Sequence, residues 1–352
     1  MSNQTLIIGL SFLICLFLSA FFFSNFIKIS YFREKLVSSA LAIFLSVSIT
    51  QTAIILIFWS KVDFIGEMSA WQYLVPLLCS PLIIMSSFMK KNFIIHVFIF
   101  ICSTITVFIS DLTLNFIPQQ YTLLNKIITI FFLWAFSVCY KNLSSVKTLP
   151  QNEGITICIG ILLLYFFGQA PFILGTTTAN VLAALIISFI YNSRAPLTTL
   201  SPFLGFILGW IGLISYQEYL LPCFIIFAMY YLIETLVALI HKITFLPQYK
   251  NLPFNIVTFK SIDDGLPFAM ATKFIWNSNI LLIILGLFQI NSPNVYSIPF
   301  FAALITGWQL YRISNWRNES KTIKEVNREL ANEIKSSFHK IFNKDENNTD
   351  NK

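Results

Sequence analysis

Two adjacent aspartates, Asp263 and Asp264, come closest in residue type and spacing to a catalytic pair. Paired carboxylates supply the hard oxygen ligands that Mg²⁺ prefers, and a bound Mg²⁺ can stabilise phosphoryl transfer. Gly265 follows the pair, and Asp-Gly is also a common signal for a solvated turn. Asp263 and Asp264 are therefore weak catalytic candidates. We predict no metal site and no cofactor from the sequence itself.

Few other side chains suggest chemistry. Glu234 is the only acid that we place inside an apolar stretch, where ionisable residues are usually functional. We interpret His96 as a packed, hydrogen-bonded side chain, and Lys126 as one that extends to the membrane interface. The six cysteines lie in or at the ends of apolar stretches and form no CxxC or Cys/His pattern, so we predict buried thiols.

Composition indicates an integral membrane protein. Hydrophobic residues make up 56% of the 352-residue chain, charged residues make up 11%, and the mean hydropathy is +0.74. A soluble domain has about 25% charged residues. The net charge of +7 would suit nucleic acid, but it is divided among many loops, so we predict no nucleic-acid partner.

Eleven apolar stretches are long enough to be considered spans of an all-α, polytopic membrane protein. Tryptophan and tyrosine mark several of their ends, as at a membrane interface. Within the predicted membrane domain, 1–316, the stretches are 6–27, 36–60, 72–88, 93–110, 123–140, 155–173, 177–192, 197–216, 219–240, 274–290 and 296–312.

The loops between these stretches alternate in charge. Odd-numbered loops are basic, as in the third with Lys90 and Lys91, whereas even-numbered loops are neutral or acidic, as in the fourth with only Asp111. Because Lys and Arg stay on the cytoplasmic side, we predict an outside N-terminus and a cytoplasmic C-terminus. Three segments would then be cytoplasmic: a loop at 241–273 with a short re-entrant or interfacial piece, an amphipathic helix at 317–343, and a disordered tail at 344–352. The helix is interpreted as a solvated extension, with a protein-binding helix as the alternative.

Five stretches of the sequence are informative when they are taken in order along the chain. They are 39–45; 130–136 with Asn142-Leu143; 190–192 with 203–209; 234–236; and 273–276 with 284–288. In this order they resemble the polyprenyl-phosphate N-acetylhexosamine-1-phosphate transferases. That family includes phospho-N-acetylmuramoyl-pentapeptide transferase and the undecaprenyl-phosphate N-acetylglucosamine-1-phosphate transferases. The resemblance covers most of 36–312. It implies a role in cell-envelope glycan synthesis at the bacterial inner (plasma) membrane, with polyprenyl phosphate as the lipid.

The chemistry that this resemblance implies depends on acids that the chain lacks. Active relatives use Mg²⁺ and a nucleotide-diphosphate sugar at the cytoplasmic face. The positions of the family acids hold Ser86, Ser87, Ser145 and Thr148, and His241 is the only histidine in the segment that matches the family's histidine cluster. A hydroxyl cannot supply the charge that holds Mg²⁺. The resemblance therefore predicts a catalytically degenerate relative, a pseudoenzyme.

Basic residues at the predicted cytoplasmic ends of the spans would suit a lipid phosphate, although they would also suffice to fix topology. The candidates are Lys90, Lys91, Lys141, Asn142, Lys147 and Arg194. Two further functions remain open. One is an active glycosyl-1-phosphate transferase with a rearranged site. The other is a transporter for a lipid-linked or hydrophobic solute.

Overall fold

The computed structural model describes residues 3–28, 37–58, 70–87, 92–146, 148–191, 201–244, 257–291 and 297–316. These residues contain thirteen α-helices, two 3-10 turns and no strand. The helices are α1 (Asn3–Lys28), α2 (Val37–Phe58), α3 (Ala70–Ser87), α4 (Asn92–Ser110), α5 (Thr122–Asn142), α6 (Leu149–Phe166), α7 (Phe172–Tyr191), α8 (Ser201–Gln217), α9 (Leu221–Phe227), α10 (Met229–Thr244), α11 (Val257–Asp263), α12 (Phe268–Ile290) and α13 (Ser297–Ser314).

Each of the eleven predicted apolar stretches coincides with helix in the described residues. Three helices, α6, α7 and α12, begin at least five residues earlier than predicted, and each has a proline at its start. Pro171 directly precedes α7. Pro150 lies in the first turn of α6, and Pro267 directly precedes α12. Proline is tolerated at these positions because the first N–H groups of a helix have no intrahelical acceptor. The predicted stretch 219–240 is divided into α9 and α10, which meet at a 67° bend.

Several of the described helices have the length and apolarity of membrane spans. Six of them qualify by themselves, and the bent pair α9–α10 would make a seventh. Large apolar side chains such as Phe17, Phe93 and Phe300 are exposed on the outside of the bundle, where water would be unfavourable and lipid is the natural solvent. The chain is thus a helical, integral membrane protein. The six helices span Gln4–Asn25, Phe93–Ser110, Thr122–Lys141, Leu149–Phe166, Phe172–Tyr191 and Phe268–Ile290.

Helices α6, α7 and α8 form the centre of the bundle. Nearly every residue of α8 is buried, and α8 contacts α3, α5, α6, α7 and α9. Glycines allow this close packing: a Cβ at Gly205 of α8 would lie 2.8 Å from the Ser137 Cα of α5. Gly160 and Gly286 similarly make room on α6 and α12 for the ring of Phe227. Small residues of this kind let membrane helices approach each other closely.

Polar side chains join α1, α2 and α7 on one side of this centre. Gln51 of α2 donates from Nε2 to Thr177 Oγ1 at 2.8 Å and accepts from Asn180 Nδ2 at 3.0 Å. Ser19 of α1 donates to the Ser46 hydroxyl at 2.7 Å. The two Gln51 bonds join α2 to α7, and the Ser19 bond joins α1 to α2. These bonds therefore fix how the three helices meet.

The predicted cytoplasmic segment 241–273 contains more helix than the sequence indicates. Residues 241–244 continue α10, residues 257–263 form α11, and α12 begins at Phe268. Residues 317–343 and 344–352 lie outside the described residues. At the other end of the bundle, Lys126 Nζ lies 2.7 Å from the Asp111 carboxylate, so its charge is paired.

Candidate functional site

Two fully buried glutamates form the polar centre of the α6–α10–α12 side of the bundle. Glu153 lies in the first half of α6, and Glu234 lies on α10. The interpretation of Glu234 as the only acid in a span is wrong, because Glu153 belongs to the apolar helix Leu149–Phe166. Ionisable groups in such positions are costly and usually functional.

Glu153 is held by Asn279 of α12. Asn279 Nδ2 donates to Glu153 Oε1 at 2.9 Å. The other oxygen of each group, Glu153 Oε2 and Asn279 Oδ1, is buried without a hydrogen-bond partner. The neighbouring side chains Gln151 and Asn152 also bury polar atoms that have no partner. The start of α6 therefore brings several oxygen atoms into a dry environment.

Glu234 is held by the start of α11. Its Oε1 accepts the backbone N–H of Thr258 at 2.8 Å, as a carboxylate does when it caps the first turn of a helix. Tyr230 OH lies 2.9 Å from Thr258 Oγ1, which ties the same two helices together. Glu234 Oε2 is buried without a partner. This acid consequently anchors a loop helix to the membrane bundle.

The two carboxyl groups lie near enough to interact electrostatically, and Tyr230 lies within electrostatic reach of both. Neither glutamate takes part in a salt bridge within the part of the chain that the structure describes. Tyr140 of α5 donates to the Pro150 carbonyl at 2.5 Å and fixes the start of α6 beside this centre.

Asp263 and Asp264 lie in an exposed turn at the end of α11. Both are exposed, and Gly265 has φ +103°. Gly265 N donates to Ile262 O at 3.0 Å and Leu266 N donates to Ser261 O at 2.9 Å, which is the Schellman end of α11. The backbone geometry thus explains this Asp-Asp-Gly sequence as a helix terminus.

Of the four positions that the resemblance assigns to the family acids, the structure describes the side chains of two, Ser86 and Thr148. Ser86 is fully buried and donates to its own helix at the Ile83 carbonyl, 2.7 Å away. Thr148 is buried just before α6 in the left-handed region, with φ 62°. Ser87 is the last residue of α3 and Ser145 ends a 3-10 turn, and their side chains lie outside the described residues. Within those residues, no three His, Cys, Asp or Glu side chains form a metal-binding group.

The candidate phosphate-binding residues lie mainly outside the described residues. Lys141 is the exception: it is partly buried in the last turn of α5. Asn142 ends that helix, but its side chain is outside the described residues. Lys90, Lys91, Lys147 and Arg194 also lie outside them, so the predicted basic surface stays a prediction.

His96 is packed as predicted, but the predicted hydrogen bond is absent at its Nδ1 within the described residues. Its ring packs 6.1 Å from the Trp134 ring, but its Nδ1 is buried without a hydrogen-bond partner. It lines a shallow, apolar groove of about 280 Å³ between α4 and α5. The groove walls are otherwise hydrocarbon and aromatic, which is ordinary for a lipid-facing surface.

Sequence reasoning missed Glu153 because Gln151-Asn152-Glu153 reads as a polar loop between two apolar stretches. The available signal was Pro150, since proline followed by polar residues is typical of a helix start. No protein-family model matches the chain, and no curated protein matches it.

Proposed function

We propose that this chain is a non-catalytic relative of the polyprenyl-phosphate N-acetylhexosamine-1-phosphate transferases. In this proposal it lies in the bacterial inner membrane with eleven spans, an outside N-terminus and a cytoplasmic C-terminus. It binds polyprenyl phosphate and serves as a partner in cell-envelope glycan synthesis.

The observation that carries the proposal is the state of the family's acid positions. Ser86 supplies a hydroxyl that is committed to its own helix, and Thr148 is a buried hydroxyl. Neither residue supplies the anionic oxygen that a divalent cation needs when it carries a diphosphate substrate. The exposed Asp263–Asp264 turn does not replace them, because its geometry is that of a helix end.

Eleven spans are supported by the coincidence of the predicted stretches with helices. The shorter apolar helices Leu41–Ile57, Leu74–Ser86 and Ser201–Gln217 occupy three of these stretches, and α13 occupies the last. A helix shorter than the hydrocarbon core is accommodated by local thinning or by neighbouring helices. α8 fits the second case, since it is surrounded by other helices.

The catalytic part of the proposal is tested by a radiolabelled transfer assay. Purified protein is incubated with polyprenyl phosphate, Mg²⁺ and a nucleotide-diphosphate sugar, with an active family member as the positive control. We expect no transfer above background with either N-acetylglucosamine or muramoyl-pentapeptide donors. Turnover that disappears in Asp263→Asn or Asp264→Asn would contradict the proposal and indicate a rearranged active site.

The lipid-binding part rests on the basic residues at the predicted cytoplasmic face. Lys90, Lys91, Lys141 and Lys147 would present positive charge without the acids and metal of active relatives. A lipid phosphate would then bind these lysines directly, at about 1 kcal/mol for each basic residue near the surface.

Native mass spectrometry measures this binding. We expect the double variant Lys90→Glu/Lys91→Glu to retain less added polyprenyl phosphate than the wild type, and its retention to depend less on salt. Lys61→Glu is the control, because this lysine belongs to a predicted outer loop. Equal retention by all three proteins would mean that the lysines fix topology only.

A further inference from the structure

The Glu153–Asn279 pair leaves one oxygen of each residue without a partner in the interior of the bundle. Asn279 Nδ2 already donates to Glu153 Oε1, and both side chains are fully buried. Glu153 Oε2 and Asn279 Oδ1 remain unpaired. An ionised carboxylate offers only acceptors, and an amide oxygen is also an acceptor, so these two atoms cannot satisfy each other while Glu153 is charged.

A charged Glu153 would also lack compensation. In the described part of the chain it has no ion-pair partner, and the nearest acid, Glu234, repels a second negative charge. An isolated carboxylate in a low-dielectric interior is strongly unfavourable, and two neighbouring carboxyl groups rarely ionise together. The site therefore requires one positive charge.

One proton on Glu153 Oε2 supplies that charge and completes the hydrogen bonding. A protonated carboxyl group and a carboxamide are complementary: each offers one donor and one acceptor on the same edge. The Asn279 amide N–H already donates to Oε1, and the carboxyl O–H would donate to Asn279 Oδ1. The two unpartnered oxygens would thus be satisfied together, and the carboxyl group would be neutral.

We propose that Glu153 and Asn279 form a buried proton-binding site between α6 and α12. The proton is taken up from water on Oε2 and released to water, and no other bond changes. The ligand is a proton because the two atoms without a partner are both acceptors and belong to one hydrogen-bonded carboxyl–carboxamide pair. This inference does not depend on the proposed relationship to the transferases.

The titratable groups around this site lie on α6 itself, on the helices packed on it and on two neighbouring helices, α5 and α10. α5 contributes Tyr140, and α6 itself carries Cys158. α10 contributes Glu234 and Tyr230. α9, which packs on α6, carries Cys223. α7 carries Tyr191 as its last residue, and α8 carries Tyr216 near its end. α12 carries the exposed Lys273. Glu234 is thus the charge that most strongly favours retention of the proton.

Infrared spectroscopy of the purified full-length protein in nanodiscs tests the proposal. A protonated carboxyl group has a C=O stretch separate from that of a carboxylate and shifts on exchange into D₂O. We expect this band in the wild type at neutral pH, its loss in Glu153→Gln and its persistence in Asp263→Asn, whose aspartate is exposed. Absence of the band from the wild type, or persistence in Glu153→Gln, would overturn the proposal.

Two further variants identify the group and the ligand. Asn279→Leu keeps Glu153 but removes the N–H that reaches Oε1, so the band should move to higher frequency; an unmoved band would contradict the site. Glu153→Gln has the shape of the protonated acid and can make both bonds to Asn279, so it should unfold at the wild-type temperature. If Na⁺ stabilises the wild type but not Glu153→Gln, the site holds a metal cation and the proton is excluded.

Discussion

Individual polar residues have two different roles inside this bundle. Gln51 makes hydrogen bonds to both Thr177 and Asn180, so its two ends are satisfied and it fixes one helix against another. Glu153 and Glu234 each keep an oxygen without a partner. The role of Gln51 is structural. The two glutamates each have a carboxyl oxygen that is available to bind a proton or another ligand.

The structural role predicts a measurable loss on removal of Gln51. Gln51→Leu deletes two interhelical hydrogen bonds and leaves the Asn180 amide unpaired in a dry interior. Because such bonds between membrane helices contribute about 0.6 to 1.7 kcal/mol each, we expect a loss of about 1–3 kcal/mol. Equilibrium unfolding in mixed micelles gives the value.

Thr104→Val is the matched control for Gln51→Leu. Thr104 also bonds within the membrane region, but only to the Phe100 carbonyl of its own helix. We expect its removal to change the unfolding free energy by less than about 0.5 kcal/mol, as at most surface positions. A loss as large for Thr104→Val as for Gln51→Leu would mean that the interhelical geometry of Gln51 is irrelevant.

The residue-level site was only half predictable. Glu234 stands alone within an apolar stretch, so hydropathy alone identified it. Glu153 follows two other polar residues, and a hydropathy window cannot tell a loop from a buried polar helix start. Asn279 is a polar residue within an apolar helix, more than a hundred positions from Glu153 in the sequence. Only the tertiary structure therefore pairs the two residues.

At the scale of elements, the helices were predictable and the bend was not. Continuous apolar stretches of this length leave the chain no alternative to helix in lipid. The bend at Ala228 has no such signal, because alanine is a strong helix former and Pro222 lies in the first turn of α9. Packing supplies the cause: Phe227 is seated between Gly160 and Gly286, immediately before the chain turns.

The contact between α5 and α8 gives a prediction at this scale. In Gly205→Ala the new Cβ would lie 2.5 Å from Tyr140 Cβ and 2.8 Å from Ser137 Cα, so a backbone must move. Overpacking of this kind costs about 1–3 kcal/mol, and we expect a lower thermal unfolding temperature. Gly307→Ala is the control, because no atom lies within 4 Å of its Cβ position. If both variants unfold at the same temperature, α5 and α8 do not pack this closely.

For the whole molecule, the position of Glu153 strengthens the charge argument for topology. The fifth loop counts Lys141, Lys147 and Glu153 as net +1, since two positive charges and one negative charge remain. With Glu153 buried in α6, the two lysines alone define the loop, which becomes net +2. The alternation between basic and non-basic loops becomes clearer, which favours cytoplasmic odd-numbered loops.

The predicted topology would place the two ends of the chain on opposite sides of the membrane. We expect Ser2→Cys to react with a membrane-impermeant thiol reagent from outside intact cells, and Asp350→Cys to react only after permeabilisation. The wild type controls for background, since its cysteines are buried or half-buried in the described helices. The predicted number of spans, eleven, is odd, so it predicts termini on opposite sides of the membrane. Labelling of both positions from the same side would require an even number of spans. One of the shorter apolar helices, such as α8, would then be the first to reassign as a buried helix that does not cross the bilayer.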